Sequence, residues 1–275
     1  MSSARTFNLK SIENSADILS ALNESALSKN PGCLAKLQSD QINILKPLYD
    51  EKEVLEHLDL MAEQMNQTRV FTESAVAPLF LTVQMGAAMS APYVQSKLNF
   101  LVVADNIQTA RYNGIDGGEL TFKVKPTASL SSRPIIIYDD IIDLAVTAGK
   151  IIDYLVQNGA DATLIYLAVM LNKDRPRDPQ FNIHPDFYAM KIANQFIVGY
   201  GLDYTEGLGR DLPWIGALVK KDEEVVKIPQ QQESYANSIG SRYMLHKRTL
   251  PASVPVPPSA PKNSETEFRR FHGCG

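Results

Sequence analysis

The segment Pro134 to Gly149 reads Pro-Ile-Ile-Ile-Tyr-Asp-Asp-Ile-Ile-Asp-Leu-Ala-Val-Thr-Ala-Gly, and no other stretch restricts the fold as tightly. Its β-branched run, Ile135 to Ile137, is apolar on both faces and too short for a helix, so it predicts a buried parallel strand. After Thr147 the apolar period lengthens. Ala148, Ile151, Ile152, Leu155 and Val156 share one helical face, which ends near Asn158-Gly159. Asp139, Asp140 and Asp143 therefore lie between the carboxyl end of a strand and the start of a helix, the crevice where open α/β sheets bind ligands. Backbone N–H groups from Leu144 to Ala148 can cradle a phosphate. Acids beside a phosphate need a cation between them, and hydrated Mg2+ divides itself between carboxylates and phosphates. The same acids also suit a plain helix cap. On its own the segment leaves both readings open.

A chain of 275 residues can bury a full core, and one domain with extensions is expected. The net charge of −4, with no dense Lys/Arg block in the central region, argues against a nucleic-acid polymer as partner. Cys33 and Cys274 lie near opposite ends, which predicts neither a disulfide framework nor a zinc site and points to a reducing compartment. The first residues lack the apolar core of a signal peptide, and no apolar run is long enough to span a bilayer. A cytoplasmic protein without a membrane partner is the expectation.

Residues 1–48 read as an N-terminal extension with short helices, for instance around Ile18 to Leu27. The domain is expected at 49–227. It opens with an amphipathic helix carrying Val54, Leu58, Met61 and Met65. Strands are predicted at Ala77 to Val83, Phe100 to Val103, Glu119 to Lys125 and Ala162 to Leu171. The polar, Gly-rich run Thr109 to Gly118 predicts a mobile loop of the kind that serves as a lid. Residues 228–275, with Gln230-Gln231-Gln232 and the prolines from Pro251 to Pro261, read as a flexible Pro-rich tail.

Two motifs carry a resemblance. The first is the acid run Asp139-Asp140-Ile141-Ile142-Asp143 with Thr147. The second is longer: Pro185-Asp186-Phe187, then Phe196-Ile197-Val198-Gly199-Tyr200-Gly201-Leu202-Asp203-Tyr204, then Arg210-Asp211-Leu212-Pro213-Trp214-Ile215-Gly216. Together they resemble the hypoxanthine-guanine phosphoribosyltransferases, type I purine phosphoribosyltransferases of bacterial type, over about residues 50–222. The family loop runs acid-Asp-Ile-Ile-Asp-Thr-Gly-Lys-Thr. Here Leu144, Ala145 and Val146 stand in place of Thr-Gly-Lys, so the acids match and the phosphate-gripping half is altered. The spacer before Arg210 is one residue longer than usual.

The resemblance implies an α/β fold, a mainly parallel twisted sheet with flanking helices and a small hood built partly from residues 183–218. It implies transfer of 5-phosphoribosyl from PRPP to hypoxanthine or guanine, giving a purine 5′-monophosphate (IMP or GMP) and pyrophosphate, with Mg2+ as cofactor. By the same resemblance Asp143 is the general base near purine N7. Asp139 and Asp140 sit at the ribose hydroxyls and metal, and Leu144 to Thr147 form the 5′-phosphate loop. Met85 and Gly86, in the turn Gln84-Met85-Gly86 that stands for Leu-Lys-Gly, join Arg210 at pyrophosphate. Lys173, Phe196 and Ile197 hold the base, Arg111-Tyr112 occupy the closing loop, and Asp203 takes a second Mg2+. Tyr188 and Met190 fall near the base side. A homo-oligomer, dimer or tetramer, is implied as well. Losing the loop hydroxyl predicts PRPP affinity weakened by roughly 10- to 150-fold. A different reading makes the chain a nucleotide sensor on a decayed enzyme scaffold; the joint presence of Asp143 and Asp203 favours the enzyme.

Overall fold

The apolar runs assemble side by side because each offers β-branched or aromatic side chains to both faces. The structure is a computed structural model that describes residues 43–111, 120–204, 207–220, 223–230 and 238–249. Six strands form the main sheet: β2 (Leu79–Gln84), β3 (Val103–Arg111), β4 (Leu120–Val124), β5 (Ile135–Ile142), β6 (Ile165–Lys173) and β7 (Phe187–Ile192). Their order is β4-β3-β2-β5-β6-β7, parallel throughout except for the antiparallel edge strand β4. The predicted central strand is thus flanked by β2 and β6. Alternation sorts its side chains: Ile136 and Tyr138 enter one core cluster, Ile135 and Ile137 the other.

The helices cover both faces. Helix α1 (Glu51–Asn66) is fixed at its start by a capping box, in which Glu53 N–H donates to Asp50 Oδ1 at 2.8 Å and Asp50 N–H donates to Glu53 Oε2 at 3.0 Å. It buries Val54, Leu58, Met61 and Met65, the stripe expected from the sequence. Helix α2 (Ala91–Lys97) packs beside it. Helix α3 (Val146–Gln157) buries Ala148, Ile151, Ile152 and Leu155 against the opposite face and ends at Asn158, as predicted.

The hood is a three-stranded antiparallel sheet of β1 (Asn43–Tyr49), β8 (Phe196–Val198) and β9 (Ile215–Lys220), in the order β1-β9-β8. This corrects one expectation. The domain does not begin at residue 49: β1 lies before that boundary, pairs with β9, and buries Leu48 and Tyr49. The hood draws β8 and most of β9 from the expected residues 183–218, while 187–192 form β7 of the main sheet and bury Tyr188 and Met190 in its cores. A second correction falls at the other end. Residues 228–275 are not all tail, because α4 (Ile239–Thr249) buries Ile239 and Tyr243 beside β6, and Ser238 donates to the Ala162 carbonyl at 3.1 Å. Gln230 lies along the edge of β7, accepting from Lys191 N–H at 2.6 Å and donating to its carbonyl at 2.9 Å.

Strand β3 starts at Val103, so Phe100 to Val102 lead into it, and it carries Thr109 to Arg111 inside the span read as a loop. Residues 162–164 form a 3-10 turn before β6. Ile18 to Leu27, Tyr112 and the rest of the closing loop through Glu119, and Pro251 to Pro261, for which the sequence predicted helix, loop and tail, lie outside the described residues.

Candidate active site

At the carboxyl edge of the sheet, beneath the hood connection, lies a cavity of about 380 Å³. It is lined by Gly86 from the β2 turn, Thr109 from β3, Asp139 to Ala148 from β5 and the start of α3, and Asp203 and Arg210 from the chain between β8 and β9. Residues far apart in sequence meet here because parallel strands all deliver their following loops to the same edge.

The acids sit against one another. Asp140 N–H donates to Asp139 Oδ1 at 2.9 Å, and Ile141 N–H donates to Asp140 Oδ1 at 2.8 Å. Burial, and after it the charge of Asp140, holds the Asp139 carboxyl well above the usual carboxylate range. Burial also raises Asp140, against the opposing pull of its hydrogen bonds and of Arg210. Two carboxyls in this state gain from a cation or from hydroxyl donors. Gly86 gives them room, because a Cβ there would lie 1.6 Å from Asp140 Oδ2. Gly201, at φ +105°, in turn brings the hood loop against the Gly86 carbonyl, 2.1 Å from where its own Cβ would stand.

Asp143 points to a different set of partners. Lys173 Nζ donates to its Oδ2 at 3.0 Å and Arg175 Nη1 to its Oδ1 at 2.9 Å. Behind them Arg177 donates to the carbonyls of Asp143 at 2.5 Å, Lys173 at 3.0 Å and Ile183 at 3.2 Å, and to the Asn172 side chain. That guanidinium ties the β5 loop to the β6 loop. Sequence reading did not single out Arg175 or Arg177. The available signal was their position, two cations flanking Pro176 just past a parallel strand.

Helix α3 starts without a side-chain cap. Ala145, at φ +69°, takes the left-handed turn that leads into it, a conformation in which an alanine is strained. Leu144, Val146 and Thr147 all line the cavity. Asp203 is paired to Arg210 Nη2 at 2.8 Å, while Arg210 Nη1 donates to the Gly201 carbonyl at 2.5 Å.

Of the sequence-predicted residues, Asp139, Asp140, Asp143, Leu144, Ala145, Val146, Thr147, Gly86, Asp203 and Arg210 share the cavity. Met85 stands beside it with its side chain more than half exposed, whereas Gln84 faces in. Lys173 reaches the site through Asp143. Phe196 is half exposed with Tyr204 edge-on at 6.1 Å, and Ile197 is buried in β8; neither lines the cavity. Arg111 ends β3.

No family model matches the sequence. Among curated proteins the chain is similar to hypoxanthine-guanine phosphoribosyltransferase of Streptococcus pyogenes serotype M3 (strain ATCC BAA-595 / MGAS315), 29% identical over 178 residues covering 64% of this chain and 94% of the relative. The enzyme of that name from Lactococcus lactis subsp. lactis (strain IL1403) is 27% identical over 177 residues, covering 64% and 91%. Among solved structures, hypoxanthine phosphoribosyltransferase from Staphylococcus aureus superposes with a TM-score of 0.56 at 22% identity, over 63% of this chain and 90% of that one. A Trypanosoma cruzi hypoxanthine phosphoribosyltransferase, solved as a ternary substrates complex, gives 0.56 at 24% identity, over 63% and 94%. The fold is that of the type I phosphoribosyltransferases, with the parallel sheet, flanking helices and hood expected of it.

Proposed function

We infer that the chain belongs to the hypoxanthine-guanine phosphoribosyltransferase family and is a purine-salvage enzyme, transferring 5-phosphoribosyl from PRPP to hypoxanthine or guanine to give IMP or GMP and pyrophosphate. The observation that carries the reading is the single cavity that gathers the Asp139–Asp140 pair, Asp143, a helix start and the Asp203–Arg210 pair.

The residue types suit the reaction. Substitution at C1′ builds positive charge on the ribose and negative charge on the leaving pyrophosphate. Arg210, with a fork of donors, suits pyrophosphate, and the Gly86 turn admits it closely. Asp139 and Asp140 suit the ribose hydroxyls, whose donors relieve two crowded carboxyls. Asp143 serves as general base toward purine N7, and Lys173, its neighbour, donates to the oxo group of the base. Half-exposed Phe196 offers a ring face for the purine, with Ile197 beside it on β8. The 5′-phosphate is received by backbone N–H groups from Leu144 to Thr147 and the Thr147 hydroxyl. Arg111 and Tyr112 belong to the closing segment.

The donor set fits Mg2+. It consists of carboxylate oxygens, and among the described residues no three acidic, His or Cys side chains converge on one point. Mg2+ accepts one or two carboxylates and takes its remaining oxygens from phosphates and water. Asp203, and Asp139 with Asp140, would hold it, and it would supply charge neutralisation of the leaving group. No described helix is long and apolar enough to cross a membrane. A cytoplasmic homo-oligomer, dimer or tetramer, is the form proposed.

The test is nucleotide formation from PRPP and Mg2+ with hypoxanthine, guanine, xanthine or adenine, with Asp143→Asn as control. Turnover with an oxopurine, lost in the variant, establishes the enzyme. Binding of IMP or GMP without turnover at saturating PRPP would leave the nucleotide sensor instead.

A further inference from the structure

Three cations stand behind Asp143, and they are used differently. Arg177 spends its guanidinium on backbone carbonyls and Asn172. Lys173, the last residue of β6, has its side chain only 10% exposed and reaches Asp143 Oδ2. Arg175 follows two residues later, with its own N–H bonded to the Lys173 carbonyl at 3.0 Å. Among the described residues Asp143 is its one side-chain partner, and its Nε–H is buried without an acceptor. An arginine that served only to knit loops together would use its donors as Arg177 does. Arg175 aims its guanidinium at a single carboxylate oxygen and leaves a donor idle.

We propose that Arg175 is the positioning residue for Asp143, holding that carboxylate in place when Lys173 leaves it for the oxo group of the bound purine. The role rests on the phosphoribosyl-transfer reading. Under it, one ammonium has two duties: the Asp143 oxygen it now holds and the oxo group of the base. Lysine suits the mobile duty, since its charge sits on a flexible stem with rotatable donors, whereas arginine is a planar fork that keeps a carboxylate in one orientation. Asp143 is 40% exposed on the cavity side, so with no second donor it would rotate once Lys173 departed. With Oδ1 anchored by Arg175, the vacated Oδ2 is the acceptor for the proton of the base. The chain thus keeps its general base aligned without asking Lys173 to stay.

The test is steady-state kinetics of the full chain with PRPP, Mg2+ and hypoxanthine or guanine, comparing Arg175→Met and Arg175→Lys with the unmodified protein, alongside thermal melts. In Arg175→Met, kcat falls on the order of 10- to 100-fold, the cost of a misaligned group. Both KM values stay within about threefold, because ground-state binding is untouched. Arg175→Lys recovers part of kcat, and it is the variant to read should Arg175→Met melt early. In crystals with IMP, Lys173 is on the base and Arg175 is still on Asp143. Unchanged kcat in Arg175→Met, a raised purine KM at constant kcat, Arg175→Lys no better than Met, or Arg175 parted from Asp143 in the IMP complex would each overturn the proposal. An unmodified protein that turns over no purine removes the reaction and this role together. An active unmodified protein whose kcat is unchanged in Arg175→Met removes the role alone.

Discussion

Asp143 and Asp186 are both bound by arginine, and their surroundings give them opposite uses. Asp143 opens onto the cavity, with Lys173 and Arg175 on its two oxygens and two-fifths of its side chain exposed. Asp186 lies at the other end of β6, with its side chain 8% exposed, and binds Arg242 of α4 while accepting from the N–H groups of Leu167 at 2.8 Å and Ile239 at 3.2 Å. The chemistry of the pairs is similar. Access differs: a ligand can compete for the partners of Asp143, whereas Asp186 is enclosed and can only lock α4 to the sheet. Burial, more than the pairing itself, separates a reactive carboxylate from a structural one.

The comparison is broken most severely at Asp143. Asp143→Asn should lower kcat at least about 100-fold, as loss of a general base does, with little change in melting temperature because the site is open to water. A variant that instead unfolded would make Asp143 structural too. Asp186→Ala should do the reverse. It leaves Arg242 and two backbone N–H groups without their acceptor and should cost about 3 kcal/mol in urea unfolding, while kcat per folded molecule holds. Gly86→Ala tests how tightly the cavity is built. Its Cβ would displace the Asp140 carboxyl, and turnover should fall on the order of 100-fold with stability nearly kept.

A pH series sharpens the contrast. Burial outweighs Arg242 and the N–H donors and pushes the Asp186 carboxyl up to about 6, from 3.8. The folded state therefore holds the proton longer than the unfolded state. This contribution to stability is fully present below about pH 4 and is lost as pH rises through about 6. Unfolding free energies of the natural chain, referred to Asp186→Asn, should fall by about 2–3 kcal/mol over that window; a flat difference would show that the ion pair offsets burial. The smallest effect is expected at Ala145. Ala145→Gly relieves a left-handed alanine, and after the entropy of glycine is subtracted it should add roughly 0.5–1 kcal/mol, read from chemical unfolding.

Much of the framework was legible in the chain. The Ile135 to Ile137 run, the α1 stripe of Val54, Leu58, Met61 and Met65, and the α3 stripe ending at Asn158 all lie where periodicity put them. The acid cluster at the end of β5 was legible too, since a strand-to-helix turn in a parallel sheet has only one edge to occupy. Other parts were hidden for physical reasons. Strand β1 carries Pro47 at a bulge and is stabilised by β9, far away in sequence, so no local pattern marks it as part of the domain. Helix α4 is only weakly amphipathic and is held by Ser238, Asp186 and Asp153. Both lie beyond the segment that the family resemblance covers.

What the sequence determined by itself is therefore whatever follows from spacing along the chain: which runs are strands, which faces of helices are apolar, and which turn holds the acids. Side-chain period is a local property, and burial of an apolar stripe enforces it. Only the tertiary structure decided who meets the acids. Lys173 and Arg175 reach Asp143 because β6 pairs in parallel register beside β5, with Ile142 opposite Asn172. Gly86 lies under Asp140, and Gly201 over Gly86, because β2 and the hood loop arrive at the same edge. Such partners are fixed by strand order and close approach, and these couple residues whose separation in sequence carries no energetic information.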